Sequence, residues 1–164
     1  MFFYIVIINV FSQNFISKDK SWNVVHFTET PKTISYKIYG DTVINNIPYS
    51  CLYYSYGEDF NFLYKEIAGF LYEVCGRIYI RFADGSTFLL YDFNVKLCDT
   101  LYLFSYETIS LIRLQVEFVD SINIGKKNHR IIYFNSLDKN TYYNQYWIEG
   151  IGSSLGVIEH CLNQ

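Results

Sequence analysis

The side chains able to do chemistry in this 164-residue chain are few and scattered. His26, His129 and His160 lie in three separate segments, and none stands at the H-x-x-x-H or H-E-x-x-H spacing that sets two imidazoles on one metal ion. All three read as packed structural histidines. Cys51, Cys75, Cys98 and Cys161 are too far apart for the close pairs that zinc sites use, so no metal centre is expected. Four cysteines allow three disulfide connectivities, and free thiols acting as small hydrophobes fit equally well. Gly152-Ser153-Ser154 is not a G-x-S-x-G elbow. Gly150-Ile151-Gly152 followed by Gly156 lacks the βαβ unit that a dinucleotide fingerprint requires, so no cofactor is expected.

Carboxylates give the strongest catalytic option. Asp41, Glu73, Asp92, Asp99 and Glu149 stand beside strand signals, and two acids facing each other across a cleft suffice for glycoside hydrolysis. Asp92 and Glu149 form the candidate pair. The alternative for aspartates at strand ends is turn capping, in which the carboxylate accepts nearby backbone N–H groups; Gly40-Asp41-Thr42 and Cys98-Asp99-Thr100 read that way. Glu149, flanked by large apolar groups and two glycines, reads as half of a buried ion pair with Arg77, Arg81, Arg113 or Arg130. Rings are the other option, since 20% of the residues are aromatic, with Tyr 17 and Phe 14. Tyr53, Tyr54 and Tyr56, and Tyr142, Tyr143, Tyr146 and Trp147, are the clusters that could stack on a sugar or peptide. Cross-strand packing of the same rings is the competing reading.

The elements that must position these residues are strands. Ile112, Leu114, Val116 and Phe118 alternate with Arg113, Gln115 and Glu117; Ile78, Ile80 and Phe82 alternate with Arg77, Tyr79 and Arg81; Ile34, Tyr36 and Ile38 share a third stripe. Asp59 to Ile67 is the best helical candidate. Asp84-Gly85 predicts a type I′ hairpin turn, Asn45-Asn46 a weaker one, and Cys75-Gly76 a third. Consecutive hairpins imply an all-β antiparallel meander of about eight to ten strands. A sheet of that size closes into a barrel or folds into a two-sheet sandwich to hide its apolar face.

Residues 1–17 read as a truncated signal peptide or linker, because Met1 to Phe11 is apolar apart from Asn9 and too short to span a bilayer as a helix; a first buried strand is the alternative. Residues 18–164 then form one domain. A net charge of -3 and a pI near 5.5 give no footprint for nucleic acid or an anionic membrane.

One set of segments resembles a known group of proteins. Gly40-Asp41-Thr42-Val43-Ile44 with Tyr49, Leu90-Tyr91-Asp92-Phe93, Asp99-Thr100, and Trp147-Ile148-Glu149-Gly150-Ile151-Gly152-Ser153 with Gly156 are similar to uncharacterised secreted proteins of Bacteroidetes. Several of those proteins continue into a carboxy-terminal sorting domain read by the type IX secretion system, a tail this sequence does not contain. It departs from the pattern at Cys98, where the group has glycine. The resemblance implies export and kinship of fold, with no catalytic residues attached. The expected function is an exported, non-catalytic binding module of the envelope or extracellular space, with a glycan, peptide or protein as partner. Its alternatives are a hydrolase using paired carboxylates and a barrel around a small apolar ligand.

Overall fold

The computed structural model describes residues 6–8, 14–26, 30–105, 110–138 and 145–158. The fold is all-β: two curled antiparallel sheets pack face to face, and no helix occurs among the described residues. The first sheet runs in chain order through β1 (Val6–Ile8), β2 (Ser21–His26), β3 (Lys32–Ile44), β4 (Ile47–Tyr56), β5 (Glu66–Val74), β6 (Arg77–Arg81) and β7 (Thr87–Asp92). The chain then crosses to the second sheet, whose order is β12 (Gly152–Ser153), β11 (Tyr146–Ile148), β10 (Lys127–Ser136), β9 (Ser110–Ile124) and β8 (Thr100–Ser105). Every pairing joins neighbours in sequence, which is the meander that consecutive hairpins dictate.

Alternation decides the faces. Ile78 and Ile80, Ile112, Leu114 and Val116, and Tyr36 and Ile38 are buried in one core shared by both sheets, as their period predicts. Phe118 is the exception. The pairing slips between Tyr133 and Phe134, so that Glu117 is extra on β9 and Phe118 turns outward opposite Tyr133.

The turns correct one expectation and support two. Asn45 and Asn46 both take positive φ (51° and 64°) between the paired Ile44 and Ile47, the two-residue geometry of a type I′ turn. Cys75 and Gly76 do the same at 51° and 73°. Asp84-Gly85 does not: β6 ends at Arg81 and β7 begins at Thr87, and only Gly85 is at positive φ. The Asp84 carboxylate instead accepts the Ser86 N–H at 2.8 Å and its hydroxyl at 2.6 Å, which stabilises a longer loop in place of the tight one. The Asp59 to Ile67 segment is likewise not helical. A turn forms at Asn61–Tyr64 and β5 starts at Glu66, because the loop is tied to the sheet: Ser35 Oγ donates to Gly57 O and Glu58 O, and Asn61 N–H donates to Ser55 Oγ.

The crossing between sheets is locked by aromatic side chains with polar tips. Tyr91 packs against Phe15, Phe93 and Trp147 with ring centroids 4.8, 5.3 and 5.1 Å apart. Its hydroxyl lies 2.6 Å from Val157 O and 3.1 Å from Gly156 O, and accepts the Ser153 N–H at 3.1 Å. Trp22 Nε1 donates to Ile151 O at 2.7 Å. Gly152 (φ 129°) is needed here, since a Cβ would lie 3.1 Å from the Tyr91 hydroxyl. The close approach that Gly152 permits is therefore to the Tyr91 side chain of the facing sheet.

Candidate functional site

The candidate acids occupy different surroundings. Asp92 is buried at the end of β7, where Arg77 Nε donates to Oδ2 at 2.7 Å and the Asn94 N–H donates to Oδ1 at 3.0 Å, so both carboxylate oxygens serve the fold. The same pair raises the Arg77 guanidinium above its ordinary pKa, chiefly through that hydrogen bond. Glu149 sits in the turn after β11. Its N–H donates to Arg130 O at 2.8 Å and its carbonyl oxygen lies 2.9 Å from His129 Nδ1. The ion pair expected for Glu149 is not formed with any of the four arginines, which are engaged elsewhere: Arg77 with Asp92, Arg81 with Gly85 O, Arg113 with Asp138, and Arg130 with the carbonyls of Phe93 and Val95. The chain reversal at Gly150 brings the backbone of residue 149, and not its carboxylate, to β10. Asp99 accepts the Lys96 N–H at 2.7 Å, and Asp41 accepts the Ser50 hydroxyl at 2.8 Å.

The β4 tyrosines separate by strand alternation. Tyr53 points outward beneath Lys65, whose ammonium lies 4.3 Å from the Tyr53 ring centroid, 4.9 Å from Tyr39 and 5.3 Å from Phe62. Tyr54 and Tyr56 lie on the opposite face. There, with Ile34 and Tyr36 of β3, Ile67 and Ala68 of β5, Phe82 beyond β6, and Ile158, they line a cleft of about 320 Å³ at one end of the first sheet. Its floor is dry, with Tyr36 at 3% and Ile158 at 2% exposure, while the rim is wet, with Tyr56 at 67%. Such a volume with apolar walls lies at the small end of ligand pockets.

Polar chemistry in the cleft is confined to phenols. The Tyr54 hydroxyl donates to Glu66 Oε2 at 2.5 Å, which with partial burial pushes its pKa up to about 12. Tyr54 therefore remains a neutral hydroxyl at any physiological pH, suited to orienting a ligand and unsuited to removing a proton. Tyr36 and Tyr54 rings lie 6.3 Å apart, and Tyr54 and Tyr56 meet edge to face at 5.9 Å. The cleft shape is thus set by ring packing across two paired strands.

No protein-family model, curated protein or solved structure matches this chain. The functional reading accordingly rests on the site itself.

The second aromatic cluster also divides. Tyr146 faces outward from β11, whereas Trp147, next to it, is fully buried against Tyr91 and Phe134. Tyr142, Tyr143, His160 and Cys161 lie outside the described residues. Cys51, Cys75 and Cys98 are free thiols. Among the described residues no three His, Cys, Asp or Glu side chains gather to hold a metal ion, and no helix is long and apolar enough to cross a membrane. Sequence reasoning singled out Tyr54 and Tyr56 but missed Ile67, Ala68, Phe82 and Ile158 as their companions. The alternating stripes of Ile34, Tyr36 and Ile38 and of Ile78, Ile80 and Phe82 were the available signals for the cleft's other walls.

Proposed function

We propose that the chain is an exported, non-catalytic binding module of the cell envelope or extracellular space, and that the cleft beside Tyr54 takes an apolar group of its ligand, whether glycan, peptide or protein. The observation that carries this reading is the cleft: a dry floor of Tyr36 and Ile158, an exposed tyrosine rim, and one oriented phenol. Export is supported by the resemblance to secreted proteins alone, since Val6–Ile8 of the apolar start pairs with β2 in the first sheet. The engagement of both Asp92 oxygens by Arg77 and Asn94 favours binding over hydrolysis.

Titration with the fluorophore anilinonaphthalene sulfonate tests the cleft. Saturable binding to the native protein is expected, weakened about tenfold by Ala68→Leu, which fills the wall with apolar volume. Ile67→Gln at the exposed rim, which leaves the core untouched, is expected to weaken it less. Absence of saturable binding, or binding unaltered in both variants, contradicts the proposal.

A further inference from the structure

Independently of the cleft, we infer that the outer face of the second sheet is a stacking platform for a neutral glycan chain. Phe118, Tyr133 and Tyr146 stand side by side on β9, β10 and β11, in direct register as Phe118 opposite Tyr133 and Tyr133 opposite Tyr146. Their ring centroids are 5.9 and 5.5 Å apart, and the rings are 52%, 36% and 37% exposed. The β-bulge at Glu117 brings Phe118 outward; without it, Phe118 would continue the buried stripe of Ile112, Leu114 and Val116.

Beside this row lies a second of amides. Asn135 and Gln115 are directly paired two residues along, and their side chains make no hydrogen bond among the described residues. Rings offering π-faces to the C–H surface of a pyranose, bordered by amides that both donate to and accept from hydroxyls, match a polyhydroxylated chain. Charge narrows the occupant. Both rows are uncharged; along β9 they are flanked by Glu117 in the bulge, by Asp120 opposite Ile131, and by Arg113 two residues beyond Gln115, which is paired with Asp138, so acids outnumber bases around them. An anionic ligand such as nucleic acid, an acidic lipid or a uronate would meet repulsion there, whereas sugar hydroxyls can donate to those carboxylates.

Affinity electrophoresis of the full chain decides it, in native gels containing hydroxyethylcellulose, xylan, laminarin or glycogen, with polygalacturonate as the charged comparison. At least one neutral polymer is expected to retard the protein. Tyr133→Ala should weaken that interaction about tenfold or more, with its thermal midpoint within a few degrees of the parent and its anilinonaphthalene sulfonate titration unchanged. Gln115→Ala, which leaves every ring in place, should weaken it less. Retardation by none of the neutral polymers, by polygalacturonate alone, or equally for parent and Tyr133→Ala overturns the inference. The cleft is tested separately by the fluorophore, so each proposal can fail alone.

Discussion

Two groups of rings in this molecule have the same chemistry and opposite surroundings. Phe15, Trp22, Tyr91, Phe93 and Trp147 are buried between the sheets, and the polar tips of Trp22 and Tyr91 are spent on the backbone of residues 151–157. Phe118, Tyr133 and Tyr146 form a row of comparable ring spacing on the outside, in contact with water. The inner rings lose water once, on folding, so their stabilisation is already realised in the native state. The outer ones retain theirs, and a ligand that displaces that water gains it on binding. Aromatic content alone cannot separate the two uses; strand register does.

The sharpest break in the comparison comes from adjacent residues. Trp147→Ala should cost about 3–5 kcal/mol in urea unfolding, because it empties a large void in a packed core. Tyr146→Ala, one position earlier and facing out, should cost about 0.5 kcal/mol. Equal losses would dissolve the distinction between the two groups.

Lys20 sharpens the inner side. Its ammonium is buried between the Phe15 and Trp22 rings, 4.9 and 5.0 Å from their centroids, and donates to Phe15 O at 3.1 Å, Asn14 O at 3.3 Å and Gly150 O. It ties the segment before β2 to the turn after β11. Lys20→Met leaves those buried carbonyls short of a donor and should cost about 1–3 kcal/mol. Burial lowers the Lys20 pKa from 10.5 to about 7. Between those values the unfolded chain holds a proton that the folded chain has released, so stability rises with pH across that window. Urea midpoints taken from pH 7 to pH 10 should show this rise in the parent and a flatter profile in Lys20→Met. Lys65, also held over rings but partly exposed, contrasts with it: no buried carbonyl depends on it, and Lys65→Met should change stability by about 0.5 kcal/mol or less.

Tyr91→Phe keeps the ring and removes the hydroxyl shared by Gly156, Val157 and Ser153. A loss of about 1–2 kcal/mol is expected by thermal or urea denaturation. The smallest effect has the opposite sign. Cys98 is exposed at φ 69°, a left-handed conformation that costs a side chain about 1 kcal/mol and glycine almost nothing. Cys98→Gly should therefore stabilise the protein by about 0.5 kcal/mol, and a destabilisation would show that the thiol contributes something its exposed position does not suggest.

Much of the fold was legible because the side-chain period of a strand is independent of its partners. Ile78 and Ile80, and Ile112, Leu114 and Val116, went to the core as their alternation required. What was not legible depends on register and on competition between local bonds. Phe118 and Tyr133 are far apart in sequence, and nothing local marks the bulge that makes them neighbours. Asp84-Gly85 carried the stronger turn signal, yet the Asp84 carboxylate bonded to Ser86 and opened the loop. Tyr53, Tyr54 and Tyr56 read as one cluster until alternation divided them between the Lys65 face and the cleft.

Amide chemical shifts read occupation of the cleft residue by residue. On titration of the isotope-labelled chain with anilinonaphthalene sulfonate, saturable shifts are predicted at Tyr36, Tyr54, Tyr56, Ala68 and Phe82, with the β9–β10 hairpin unmoved. Shifts confined to other residues, or none at saturating fluorophore, would contradict it.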